Sequence, residues 1–96
     1  MKLLRVIKSP NPGKKWRAVF ETDSGQQTHT DFGDSSMQDY TQHKDKQRRE
    51  NYRSRHAKDL QTRDPTRAGY LSYYILWGPY TSLQSNIESY RQKFNL

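Results

Sequence analysis

KKWRAVFETDSGQQTHTDF, residues 14–32, alternates apolar and polar side chains on either side of a turn. Trp16, Ala18 and Phe20 fall on one face of an extended chain, and Lys15, Arg17 and Glu21 fall on the other with Val19. That period of two marks a half-buried strand. Asp23-Ser24-Gly25 reads as a hairpin turn, since Gly25 is free to take a positive φ. The threonine-rich run that follows, ending at Phe32, is then a strand pairing back. Upstream, KLLRVIK at 2–8 is another strand, with Leu4 and Val6 assigned to one face and Leu3 and Ile7 to the other. Between these two, SPNPG at 9–13 carries two prolines and a glycine, which no regular ladder accommodates. The first third of the chain is therefore predicted to be a three-stranded antiparallel meander with one apolar face.

Beyond Phe32 the spacing becomes helical. Ser35 or Ser36 is placed to cap a short helix through Tyr40, and a longer helix is predicted from about Lys44 to Leu60. Asp64-Pro65 suits the start of another, because proline in the first turn loses no hydrogen bond, and Gly78-Pro79 ends it. Thr81 and Gln84 have capping-box spacing, and behind them Leu83, Ile87, Tyr90 and Phe94 form one apolar stripe. The predicted class is α+β, a single domain over residues 1–96. In it the meander (about 2–32) packs its Trp16/Ala18/Phe20 face against three C-terminal helices (about 35–95).

Only 30% of the 96 residues are hydrophobic, but twelve are aromatic, so a thin core rich in rings is expected. Seventeen Lys and Arg oppose ten Asp and Glu, a net charge of +7 that favours a polyanionic partner. With no cysteine there is neither a disulfide framework nor thiolate chemistry. The amino terminus is too charged for a signal peptide and no apolar run approaches a membrane span, so an intracellular, non-secreted protein is expected.

HKDKQRRENYRSRH at 43–56 concentrates the charge. From Lys44 to Lys58 seven basic residues stand against Asp45 and Glu50, a net +5. On a helix only Tyr52, His56 and Leu60 line up toward a core. The remaining circumference would stay wet, with Lys44, Lys46, Arg48, Arg49, Arg53, Arg55 and Lys58 available to phosphates. The plainer reading is a solvated charged face. Same-sign repulsion and the prevalence of arginine, which matches phosphate with a planar fork, favour the polyanion.

No metal site is expected: His43 and His56 are thirteen apart, His29 lies on a strand, and no pair has one-turn spacing. Asp31, Asp34 and Asp39 sit between a strand end and a helix start, where carboxylates cap and turn. Nuclease, Walker, serine-hydrolase and zincin motifs are absent, so no enzyme and no cofactor are expected. In GYLSYYILWGPY (69–80), Leu71, Tyr74, Ile75 and Trp77 are assigned inward and Tyr70 and Tyr73 outward. Core packing is the favoured reading of the set, with Tyr70, Tyr73 and Trp77 as candidate interface aromatics.

KKWRAVFETDSG, THTDFGDSSMQDYTQHKDKQRRENYRSRHAKD and DPTRAGYLSYYILWG together resemble a family of short uncharacterised basic proteins encoded by large DNA viruses of algae and protists. The likeness spans roughly residues 14–78 and implies a viral setting, inside the host cell (cytoplasm or nucleus) with packaging in the virion left open. It supplies no site residues. The expected function is non-specific binding of nucleic acid, DNA foremost, through the basic helix. The alternative is a minor capsid protein whose basic helix and exposed aromatics meet an acidic coat protein. A third reading has the sheet enter a DNA groove through Lys15, Arg17, Gln27 and His29.

Overall fold

A computed structural model describes all residues, 1–96. Strands β1 (Lys2–Lys8), β2 (Lys14–Glu21) and β3 (Gln27–Asp34) form one antiparallel sheet in the order 1-2-3. Four helices follow: α1 (Tyr40–His43), α2 (Lys46–His56), α3 (Ala68–Leu71) and α4 (Leu83–Phe94). A 3-10 segment (Ala57–Thr62) prolongs α2, and a π-helical turn (Ser72–Leu76) prolongs α3. The expected α+β meander with helices on one face is the fold observed.

Alternation on β2 sets the layers. Ala18 and Phe20 are fully buried, as is Phe32 opposite Trp16, and the helices supply Leu71, Ile75, Leu76, Ile87 and Tyr90 to the same cluster. Six of its twelve members are aromatic, so a few large rings exclude the water that aliphatics would in a richer sequence. Gly25 has φ +86 in the β2–β3 turn, as the hairpin requires.

Strand β1 departs from strict alternation. Leu3 pairs with Phe20 and Arg5 with Val19, so Leu4 is an extra residue in the ladder. This bulge brings Leu3 and Val6 to the core side together, where a regular strand would have opposed them. The helix boundaries also differ from expectation. Asp39, not Ser35 or Ser36, caps α1: its carboxylate accepts from the Thr41 backbone, and Gln42 accepts from Asp39 N–H. Ser82, not Thr81, caps α4. Asp64 folds into a turn by accepting from Thr66, and α3 starts later, at Ala68.

The predicted helix 44–60 is broken at its start. Lys44 takes a left-handed conformation (φ 60) that closes α1, and Asp45 begins a new helix by accepting from the backbones of Gln47 and Arg48. No helix is long and apolar enough to cross a membrane.

Candidate nucleic-acid interface

Helix α2 contains no fully buried residue, so side chains alone fasten it to the body. Tyr52 stacks on Trp77 with ring centroids 4.2 Å apart and planes 6° apart, and His56 stacks on the other face of Tyr52 at 4.2 Å. This is the inward line expected from the sequence. On the next ridge, Arg53 donates from Nη1 to the carbonyls of Tyr73 (3.0 Å) and Trp77 (2.8 Å). Arg49 donates from Nε to the Gly78 carbonyl at 2.7 Å. These carbonyls belong to the carboxyl-terminal end of the α3 helix, where backbone acceptors lack partners and the helix dipole favours a cation. Arg53 also lies 4.0 Å from the Tyr73 ring centroid, and burial lowers its pKa without neutralising it.

Two of the seven expected phosphate ligands, Arg49 and Arg53, therefore serve as helix caps inside the molecule. Single-sequence reading missed this because the acceptors lie at residues 73–78, more than one element away. The other five behave differently. Lys44, Lys46, Arg48, Arg55 and Lys58 are exposed and take part in no ion pair. Glu50, one turn from Lys46, does not close on it. Arg48 and Arg55, seven residues apart, share one ridge of α2, and Lys46 stands on the opposite flank.

The candidate interface aromatics are placed inward. Tyr70 is buried and its hydroxyl donates to the Leu60 carbonyl at 2.6 Å. Trp77 is buried under Tyr52 and beside His43, with ring centroids 5.2 Å apart for the latter pair. Tyr73 is half-buried beneath Arg53. The π turn also carries Leu76 to the core together with Leu71 and Ile75.

Two of the four sheet residues expected to read a groove, Arg17 and Lys15, are engaged within the molecule too. Arg17 holds Asp31 through two hydrogen bonds of 2.7 and 3.1 Å, which keeps the Asp31 carboxyl below its usual range. Lys15 donates to Asp39 and to Gln42, both at 2.7 Å, tying β2 to the start of α1. His29 and Gln27 remain exposed on β3. His43 ends α1. Its Nδ1 accepts from the Asp45 backbone, which leaves the proton on a buried Nε2 without a partner.

The model of a family of unknown function (DUF5754) matches residues 4–56. That is more than half of the chain, and the chain belongs to this family. The matched span runs from the β1 bulge to the last residue of α2, so it includes the sheet and the basic helix together. No curated protein and no solved structure matches the chain.

Proposed function

We propose that this member of the family is a non-enzymatic nucleic-acid-binding protein that engages the DNA backbone through the solvent side of α2. Lys44, Lys46, Arg48, Arg55 and Lys58 contact phosphates, while Arg49, Tyr52 and Arg53 hold the helix rigidly in place. One observation carries the reading: five exposed cations without carboxylate partners are displayed on one short segment. Such a display is repulsive in isolation and is relieved when phosphates replace condensed counterions. Backbone contact of this kind carries no base readout, so binding is non-specific in sequence. Following the resemblance to proteins of large DNA viruses, the polymer is viral DNA.

The test is fluorescence anisotropy with a random-sequence duplex at several salt concentrations. The Arg48→Gln/Arg55→Gln double variant should lower the slope of log K against log salt by about 2, at roughly 0.9 for each phosphate no longer neutralised. Absence of binding at low salt would refute the proposal.

A further inference from the structure

A concave surface opens at one end of the sheet, between the β1–β2 turn and α1. It encloses about 450 Å³, and its wall includes Lys8, Lys14, Lys15, Trp16, Asn11 and Gln42. Lys8 and Lys14 are exposed and make no ion pair. Lys15 is neutralised by Asp39, which also lines the wall, so three positive charges and one negative leave a net +2. Trp16 stands opposite Lys8 on β1 and Phe32 on β3. Trp16 packs against the core, is only half-buried, and also lines the concavity.

An indole surface between two unpaired ammonium groups, with side-chain amides at the rim, has the chemistry of a nucleotide site. The ring offers a stacking partner, the lysines meet phosphate, and the amide NH2 groups of Asn11 and Gln42, whose oxygens already accept from Gly13, Lys15 and Asp39, are left to donate to sugar and base edges. The size lies within the roughly 300–1,000 Å³ of small-ligand sites. A base inside a duplex is stacked on both neighbours and cannot enter a concave wall; an unpaired one can. The concavity also adjoins the α2 surface. Gln42 belongs to α1, which Lys44 and Asp45 join to α2, and the charges of Lys15 and Arg48 both act on the intervening His43.

We infer that this concavity binds an unpaired nucleobase of single-stranded nucleic acid, with the base on Trp16 and its flanking phosphates on Lys8 and Lys14. The inference rests on the α2 reading and extends it, from backbone contact alone to a preference for the single strand.

The experiment uses the full chain, a fluorescein-labelled random-sequence oligonucleotide and the same oligonucleotide as a duplex. Anisotropy reports binding, and tryptophan emission reports the concavity. Trp77→Phe leaves Trp16 as the sole emitter. Trp16→Phe provides the reciprocal variant should the loss of Trp77 from its stack unfold the protein. The single strand should bind about tenfold tighter than the duplex, the effect of one stacked base. It should quench emission in the wild type and in Trp77→Phe but not in Trp16→Phe. Lys8→Gln/Lys14→Gln should weaken single-strand binding and leave duplex binding unchanged. Anisotropy that rises while tryptophan emission stays constant, or single-strand affinity unaltered in the lysine variant, would overturn the inference and leave the α2 reading standing. No anisotropy change with either form would overturn both.

Discussion

Arg53 donates a hydrogen bond of 2.8 Å to the carbonyl of Trp77, the residue that closes the helix packed beneath α2. Together with its bond to the Tyr73 carbonyl, this makes Arg53, like Arg49, a structural cap within a run whose other five basic residues are free cations. The two roles separate by mutation. Arg53→Gln leaves buried acceptors unpaired and should cost about 2–4 kcal/mol, whereas Arg55→Gln should change stability by less than about 0.5 kcal/mol. Urea denaturation distinguishes them. Equal losses in the two variants would mean that α2 is not anchored in this way.

Asn86 is fully buried on α4 and clamps the chain where α3 gives way to the Gly78-Pro79 turn. Its amide donates to the carbonyls of Ile75 and Tyr80, each at 2.8 Å, and its oxygen accepts from the Tyr80 backbone at 3.0 Å. Asn86→Ala should cost about 2–4 kcal/mol through the groups left unsatisfied. Asn86→Asp keeps an acceptor but has no amide donors, and it should be no more stable than the alanine variant. A near-wild-type melting temperature for the aspartate would contradict this account.

Gly25 and Gly33 have nearly the same backbone angle, φ +86 and +85, in different surroundings. A β-carbon on Gly25 meets nothing within 4 Å, whereas one on Gly33 lies 2.8 Å from Leu76 Cδ1 and 3.3 Å from Lys15 Cβ. Gly25→Ala should therefore show the conformational cost alone, about 1–2 kcal/mol. Gly33→Ala adds displacement of a core side chain, and a total of about 2–4 kcal/mol is expected. Thermal unfolding of the two variants measures the difference.

His43 couples stability to acidity. Burial, chiefly, and then the charge of Arg48 lower its pKa from the usual 6.5, with Lys15 acting in the same direction and Asp45 and Asp39 opposing. A depressed folded-state pKa means that the neutral ring is favoured by folding. Its contribution is complete above about pH 6.5 and is lost as the pH falls through the folded value. Protonation also takes away the acceptor that Nδ1 offers to the Asp45 backbone at the start of α2. The urea midpoint should fall between pH 7 and about 5, and His43→Phe should flatten that part of the profile. An unchanged profile in the variant would assign the dependence elsewhere.

The meander, its turn at Gly25, the apolar face of β2 and the α4 stripe were determined by sequence alone. Each depends on local periodicity or on a backbone angle that only certain residues adopt, and neighbours in the chain suffice to express both. The same holds for the inward line of Tyr52 and His56 and for the surplus of positive charge around α2. Tertiary structure decided what that charge does. Arg49 and Arg53 look like their neighbours in the sequence, yet they cap a helix end lying between 20 and 29 residues away. The β1 bulge is likewise closed from a distance: Arg91 donates to the carbonyls of Leu3 and Leu4. Trp16 and the lysines around it acquired a common cavity only when the β1–β2 turn and α1 closed over the sheet end. Buried backbone acceptors and the meeting of distant elements leave no periodic signal, so the division of α2 into anchors and free cations exists only in the folded chain.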